Sequence, residues 1–443
     1  MGILADNFAF SAIIVIASFV LLLTLSLKGH KLLFSALCAS IVASFACQGC
    51  FIAGLTGEFA SGFSTLVTMM FLVVMSGAFM ASVIEHTGTG QKLGDMIVGR
   101  LGEKYVIISL IFYVIALTYL GIGISIFVFY AIAMPICNRA NISKAIPFMV
   151  FMGGNAVMVT AWGAPSISNN VLSGFYGTNI YAAPLLSVTT TVVGLVLLFI
   201  MCSRELKISR ANGEGFIREG ETLMLKPVEL RPTEKLPSGL VTIAPCLLLL
   251  VAIPLLQNFT DFGPGGSTIV AQLIAGLVMI LLNWKRFEGG RIKTITESLL
   301  GPVPMLISAF CVAGYGAIIS STLFYQGVVD ATLNSGLSPY LLLVVLTAVV
   351  CGITGDAAGG SALAMTTVGA RLVADGVNPG VLLRLTSLAS QTFDSLPHSY
   401  MVNLNLGIFG FDIKSGYKYA FRTTVLLTCI TTIVGLVIAM IAY

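Results

Sequence analysis

The stretch KYVIISLIFYVIALTYLGIGISIFVFYAIAMPICNR, residues 104–139, decides how the chain is laid out. Between Lys104 and Arg139 it carries no charge, and its apolar run exceeds the about 20 residues a helix needs to cross roughly 30 Å of hydrocarbon. Lys and Arg mark the cytoplasmic side of membrane proteins, so both ends of this run belong on one face. The chain therefore enters and returns, as a re-entrant hairpin over 105–137 that turns at Leu120-Gly-Ile-Gly-Ile-Ser125. Non-helical backbone at membrane depth survives only where protein buries it or where it lines a polar cavity.

The composition agrees with a lipid environment. With 443 residues, 57% hydrophobic and 9% charged, the chain has more apolar surface than one soluble core can hide. Uncharged runs suited to full crossings lie near 9–27, 33–55, 64–84, 182–203, 239–257, 267–284, 299–323 and 420–442. The opening residues MGILADNFAF lack the basic region and cleavage site of a secretory signal, so the first span is expected to be retained. Basic loops at Lys28 and Lys31, Lys92 through Lys104, Arg139 and Lys144, 204–236, Lys285 through Lys293 and Lys414 through Arg422 are placed in the cytoplasm. The connections 56–62, 176–181, 258–266 and 324–338 carry Glu58, Asp261 and Asp330 but no Lys or Arg, and are placed outside with both termini.

This orientation settles the other long stretches. Segment 339–375 begins and ends outside, a second hairpin turning around Gly352-Ile-Thr-Gly-Asp-Ala-Ala-Gly-Gly-Ser361. Segments 144–175 and 379–410 cross but are broken midway, at Gly163-Ala-Pro-Ser-Ile-Ser-Asn-Asn170 and at Thr392-Phe-Asp-Ser-Leu-Pro-His-Ser399. The expected fold is all-α and polytopic, about ten crossings plus two re-entrant hairpins, arranged as an inverted repeat with about five crossings and one hairpin in each half. The first repeat covers 1–203, a cytoplasmic linker 204–236, and the second repeat 237–443. Tyr105 with Tyr340 (340 − 105 = 235) and Pro165 with Pro397 (397 − 165 = 232) echo that repeat. Leu93, Met96, Ile97 and Leu101, set among Lys92, Asp95 and Arg100, have the spacing of a helix lying on the membrane surface.

Four breaks in symmetric positions imply one central site. Half-helix N-termini suit a carboxylate and unwound carbonyls suit a cation, so a small organic anion is the natural ligand. The ionisable residues within the membrane stretches are Asp356, Arg371, Arg384, Asp394 and His398. Arg371 and Arg384 lie near segment ends, where a long side chain can reach the interface, with Arg384 kept as an alternative anion ligand. Asp394 and His398 stand one turn apart around Pro397, either as a coupling pair able to carry a proton or as a mutually satisfied structural pair.

Asp356 sits at the second hairpin tip, as a third coupling residue or a helix cap. Candidate substrate ligands are Ser125, Gly163, Ser166, Ser168, Asn169, Asn170, Gly359, Gly360, Ser361, Thr392, Ser395, His398 and Ser399. Polar satisfaction of the breaks accounts for some of them equally well.

Enzymatic and ATP-driven readings find little support. Gly88-Thr-Gly-Gln-Lys-Leu-Gly94 has the wrong spacing for a dinucleotide loop, and GxxxxGK[ST], HExxH and GxSxG do not occur. No cofactor or metal is expected, and nucleic-acid binding is not implied by a net charge of +4 spread over loops. The nine cysteines lack zinc-site spacing and read as small packing residues. Two alternatives from other classes are an anion channel built on the hairpins and a membrane aspartyl protease using Asp356 and Asp394, whose GITGD context carries one residue too many for G-x-G-D.

At its breaks the chain also resembles a known family, the gluconate permease (GntP) family of the ion-transporter superfamily. FDSLPHS at 393–399 is similar to the family's D-[ST]-L-P-H signature, GDAAGGSALA at 355–364 to its small-residue hairpin, and GAPSISNNVLSGFYGTNIYAAP at 163–184 to its other broken helix. The last stretch looks closer to the short-chain hydroxy-acid branch, typified by 3-hydroxybutyrate permeases. LGIGISIFVF at 120–129 departs from the acidic and paired aromatic residues of gluconate carriers. The resemblance implies a homodimer in the bacterial inner membrane, with hairpins and broken helices forming a transport domain that slides against a scaffold. It implies proton symport of a short hydroxy-carboxylate, with gluconate or citrate and other dicarboxylates as alternative substrates. Sodium is the alternative coupling ion, and Thr354, Asp356, Ser361 and Asn170 would then hold it.

Overall fold

A computed structural model describes residues 7–28, 30–47, 51–89, 92, 95–96, 102, 105–119, 126–164, 166–217, 232, 236–285, 296, 299–300 and 303–443. Among the described residues every regular element is a helix, and the one β feature is an isolated antiparallel bridge between Cys47 and Thr322. The first half contains α1 (Phe8–Leu27), α2 (Leu32–Ala43), α3 (Ala60–His86), α4 (Val106–Tyr119), α5 (Ile126–Arg139), α6 (Ala145–Met158), α7 (Ile167–Phe175) and α8 (Pro184–Ala211). The second contains α9 (Gly239–Phe259), α10 (Gly263–Leu282), α11 (Val303–Ser320), α12 (Leu323–Leu333), α13 (Pro339–Thr354), α14 (Ala357–Ala364), α15 (Ala370–Ala374), α16 (Pro379–Ser390), α17 (Tyr400–Ile408), α18 (Ile413–Ala420) and α19 (Leu427–Ala442).

Element starts recur at a near-constant spacing. Phe8 of α1 corresponds to Gly239 of α9 (239 − 8 = 231), Val106 of α4 to Pro339 of α13 (339 − 106 = 233), Ala145 of α6 to Pro379 of α16 (379 − 145 = 234), and Ile167 of α7 to Tyr400 of α17 (400 − 167 = 233).

Among the described residues, three helical runs are long and apolar enough to cross a membrane: Phe8–Leu25, Pro184–Ala211 and Ile413–Ala442. Their faces are sorted for lipid. On α8 the residues Leu186, Thr190, Gly194, Leu198, Cys202, Glu205 and Ser209 face inward at steps of three or four, while Leu185, Val188, Val192, Val196 and Ile200 are exposed. Small and hydroxyl-bearing side chains inside, with large apolar ones outside, is the arrangement expected where lipid removes the usual drive to bury leucine. Gly194 shows why smallness matters: a Cβ there would stand 2.7 Å from Val157 Cγ2 of α6.

Helices α4 and α5 hold 14 residues each and α13 holds 16, so at 1.5 Å per residue none reaches across roughly 30 Å of hydrocarbon alone. The turn at Leu120–Ser125, including Ser125, lies outside the described residues, as do Leu93, Ile97, Leu101, Pro165 and most of the linker, 218–231 and 233–235. Met96 and Asp95 are described, and Asp95 pairs with Arg139 at 3.2 Å.

Two expectations change. Residues 51–55 do not end the second span, and 56–62 is not a loop: the chain is helical from Phe51, passing through a π-turn at Gly54–Phe59 into α3. Gly54 lets that turn lie against α2, since a Cβ there would meet Cys47 Sγ at 2.8 Å. The 324–338 connection likewise contains a helix, α12, whose N-terminus is capped by the Thr322 hydroxyl.

Several of the basic segments lie close together. Arg139 meets Asp95, the Asn141 amide oxygen accepts from the Phe216 amide at 3.0 Å, Lys144 Nζ donates to the Gly410 carbonyl at 2.8 Å, and Arg422 pairs with Glu205 at 3.0 Å. Lys144 also stands 4.4 Å over the Phe411 ring, and the residue is buried.

A second buried cation works the other end. Arg384 of α16 is fully buried, so it does not reach the interface as its position in the sequence led one to expect. Its guanidinium donates to the carbonyls of Ala182 (3.1 Å), Thr160 (3.3 Å) and Ile180 and to the Asn169 amide oxygen (3.3 Å). Those carbonyls belong to the end of α6 and to the loop before α8. Each broken helix thus carries a buried cation that satisfies backbone next to the other one.

Arg384→Leu should leave several buried carbonyls unpaired and cost about 3 kcal/mol or more, read as a lower unfolding midpoint in detergent. Arg371→Gln should be near neutral in the same assay, because Arg371 is 81% exposed in a 3.9 Å pair with Asp375.

Candidate functional site

The second break runs from Gln391 to Ser399 between α16 and α17. Thr392 ends α16 by donating to the Ala389 carbonyl at 2.6 Å, and Ser399 opens α17, its amide bonded to the Leu396 carbonyl at 2.8 Å. Between them Asp394 accepts from the Ser395 hydroxyl at 2.9 Å. His398 is 1% exposed. Its ring meets Phe19 of α1 edge-on at 4.7 Å and faces the backbone of Gly352 and Ile353, but neither ring nitrogen reaches hydrogen-bond geometry with a partner. The expected mutual pair of Asp394 and His398 is therefore not formed: Asp394 turns to its neighbouring serine, and His398 packs against the second hairpin.

The tip of that hairpin is Thr354-Gly355-Asp356, between α13 and α14. Gly355 ends α13 with φ +68°, a left-handed conformation that favours glycine. It has a second reason to lack a side chain, because a Cβ would lie 2.9 Å from His398 Cδ2, 3.0 Å from His398 Nε2 and 3.4 Å from Ser399 Cα. The N-terminal ends of α14 and α17 are thereby brought side by side, each presenting amides without an intrahelical acceptor. Asp356 and Asp394 are close enough for their charges to interact directly, and both bear on Cys351 and Tyr400.

Other candidate residues serve the scaffold of the site. Gly360 lets α14 lie on α13, since a Cβ would be 2.7 Å from Cys351 Cα. Thr354 donates to the Val350 carbonyl at 3.0 Å, and Ser361 is buried nearby on α14. Gly359 lies on α14 beside Gly360.

The first break is built differently. Gly163 has φ +69° and its amide donates to the Ile180 carbonyl at 2.9 Å. Ser166 caps α7, accepting from the Asn169 amide at 3.1 Å while donating to the Val159 carbonyl at 2.7 Å. Asn169 spends both amide hydrogens on the carbonyls of Ala161 (3.2 Å) and Ala164 (3.1 Å). Its oxygen accepts from Arg384 and, at 3.4 Å, from Ser387. These groups hold the break in shape, whereas the Ser168 hydroxyl is buried without a partner. Asn170 follows on the same helix, and its side chain lies outside the described residues.

The structure brings Asp356, Asp394, His398, Ser395 and Ser399 together and commits Gly163, Ser166 and Asn169 to the first break. Phe19, Tyr400 and Tyr417, whose hydroxyl donates to the Ser395 carbonyl at 3.4 Å, join the site unannounced. Phe19 had no signal to find, being one apolar residue among many on α1. Among the described residues no group of three or more His, Cys, Asp or Glu could hold a metal. Just past the break, Asp412 opens α18 in a capping box with Ser415, whose hydroxyl and amide hold its carboxyl below the usual range. That cap is intact above the usual carboxylate range and is lost as pH falls through the lowered value.

No family model matches the chain. Relatives nonetheless run along nearly all of it: a transporter of Bacillus subtilis (strain 168), 23% identical over 94% of this chain and 96% of its own, bears the name YxjC without a characterised role. The high-affinity gluconate transporter of Escherichia coli (strain K12) is 21% identical over 86% of this chain and 87% of its own. These relatives indicate a membrane transporter, not an enzyme. A Haemophilus influenzae transporter, also uncharacterised, is 23% identical over 83% of this chain and 85% of its own. Of solved structures, the YdaH transporter of Alcanivorax borkumensis aligns with a TM-score of 0.43 at 13% identity, covering 89% of both chains. MtrF of Neisseria gonorrhoeae aligns at 0.37 and 12%, covering 88% of this chain and 84% of that one.

Gly355→Ala should abolish uptake, combining about 1 kcal/mol or more of left-handed strain with intrusion on His398 and Ser399. Gly376→Ala shares the strain, at φ +80°, but meets nothing within 4 Å, and should retain uptake. Comparing the two in one transport assay separates the site from the strain.

Proposed function

We propose that this chain is a secondary active transporter of a small organic anion, a short hydroxy-carboxylate such as 3-hydroxybutyrate being the first choice, moved by proton symport. The observation that carries this reading is the meeting of the α14 and α17 N-termini with Asp356, Asp394 and His398. Two helix N-termini attract a carboxylate, while two neighbouring carboxylates repel it. The opposition is relieved when a cation neutralises the aspartates, so the anion and a proton enter the site together. Asp394 and Asp356 carry the coupling charge, and His398, which packs on the hairpin tip, passes or senses it.

Support for an inverted repeat comes from the constant spacing of element starts and from the reciprocal clamps of Lys144 and Arg384. The repeats are 1–203 and 237–443, joined by the linker 204–236, with hairpins 105–137 and 339–375. Support for a scaffold and a moving transport domain comes from the packing. α1, α2, α3, α9, α10 and α11 pack chiefly on one another, while the hairpin α13–α14, α16, α8 and α19 form a second set. The substrate ligands in this reading are Ser395, Ser399, His398, Thr392, Gly359 and Gly360 around the second break, with Ser361 and Ser168 on neighbouring helices, and with Ser125 and Asn170 proposed from the sequence alone. The protein would act as a homodimer in the bacterial inner membrane, both termini outside. Kinship to a gluconate transporter keeps gluconate as the alternative substrate, and Thr354, Asp356, Ser361 and Asn170 would serve if sodium replaced the proton.

The test is uptake of labelled 3-hydroxybutyrate into proteoliposomes under an imposed pH gradient, then a sodium gradient, with gluconate, citrate and lactate as competitors. A pH-driven accumulation that Asp394→Asn abolishes, with an unchanged size-exclusion profile, is the expected outcome. Normal accumulation by Asp394→Asn would remove that residue from the mechanism. Drive by sodium alone would move coupling to the hairpin tip.

A further inference from the structure

A cavity of about 460 Å³ lies beside the second break, walled by Leu23, Pro397, Ile413, Tyr417 and Phe421 and edged by Lys414, Lys418 and Arg422. Pro397 belongs to the break itself. Tyr417 ties the cavity wall to it, donating to the carbonyl of Ser395, whose hydroxyl in turn bonds Asp394. The three cations fall at i, i+4 and i+8 along α18 and the π-turn Phe421–Leu426 that follows, so they form one stripe. Arg422 is engaged with Glu205, and Lys418 stands 4.8 Å over Tyr419. Asp412, beside Lys414, is committed to Ser415, and among the described residues no carboxylate pairs with Lys414 or Lys418. Both lysines are exposed.

The stripe is not a product of repetition. The start of α8, PLLSVTTTVV at 184–193, occupies the corresponding place after the first break and has no Lys or Arg. Among the described residues, the exposed basic stripe therefore accompanies the break that holds Asp394 and His398 and has no counterpart at the start of α8. That stripe belongs to the basic segments described above, with Lys144, Arg139 and Phe216.

We infer that this cavity is the cytoplasmic vestibule for the transported carboxylate, in which Lys414 and Lys418 concentrate the anion before Pro397. The inference rests on the transporter reading and adds a path and an asymmetry to it. Two exposed cations without a carboxylate salt bridge among the described residues, at an apolar-walled mouth, raise the local concentration of a small anion without binding it tightly, as suits a passage. A substrate released from the break passes them on the way in, and a substrate leaving the cell meets them first. Their effect therefore belongs to the cytoplasmic face alone.

The experiment uses the full chain in vesicles of neutral phospholipid with Ile413→Cys as a reporter in the cavity wall. Its reaction rates with anionic sulfonatoethyl and cationic trimethylammonioethyl methanethiosulfonate are compared, the protein without Ile413→Cys giving the background. The anionic reagent should be favoured, the ratio should fall about threefold or more in K414Q/K418Q, and 3-hydroxybutyrate should slow the anionic reaction. In transport, K414Q/K418Q should raise KM about threefold or more for 3-hydroxybutyrate offered to inside-out vesicles and leave KM at the outer face unchanged.

A labelling ratio indifferent to K414Q/K418Q, or equal KM changes at both faces, overturns the vestibule. Slowing by anionic phospholipid but not by the carboxylate also overturns it and assigns the cavity to lipid headgroups. A shifted ratio with carboxylate protection in a protein that moves no solute would instead refute the transport reading and leave the anion cavity intact.

Discussion

Every interruption of a helix inside a membrane raises the same demand, that the freed backbone amides and carbonyls find partners where water is absent. In this protein the demand is met by side chains reaching between the two broken helices. Arg384 satisfies carbonyls at the first break, Asn169 closes the same break with both faces of its amide, and Lys144 takes the carbonyl that ends α17. A buried guanidinium is tolerable only because each donor has an acceptor, and the carbonyls are tolerable only because the guanidinium is there. The second break is held by its own short bonds, Thr392 to Ala389 and the Ser399 amide to Leu396, with Asp394 and His398 set between them.

The two breaks divide the work unequally. The first, around Gly163, Ser166 and Asn169, uses its polar groups on itself. Among the described residues, the second leaves an aspartate bonded to the next serine, and a histidine whose nitrogens find no hydrogen-bond partner, directly under the glycine tip of a hairpin. Unsatisfied polar atoms at such depth are expensive unless a ligand or a proton completes them. Two breaks that satisfy their polar groups unequally leave one candidate site rather than two.

Much of this was legible from residue types. Charge-free runs, basic loops and interruptions by Gly, Pro and Asp located the helices, the breaks and the residues that cannot sit in hydrocarbon without a reason. The misreadings share a cause. At Gly54–Phe59 two glycines resembled a loop, yet the chain stays helical, because glycine there serves close contact with Cys47. Arg384 looked able to reach the interface, and Asp394 and His398 looked paired, since sequence distance along a helix says nothing of what another helix offers across it.

By itself, then, the sequence determined the lipid-suited, helical character of the chain and the positions of the interruptions near 163–166, 354–356 and 391–399, because these follow from hydrophobic length, charge and backbone chemistry, which are local properties. Only the tertiary structure decided which polar residues hold a break in shape and which are left for a ligand. That choice depends on carbonyls, rings and glycines contributed from residues hundreds of positions away, as Arg384 shows with Thr160 and Ala182, and as His398 shows with Phe19.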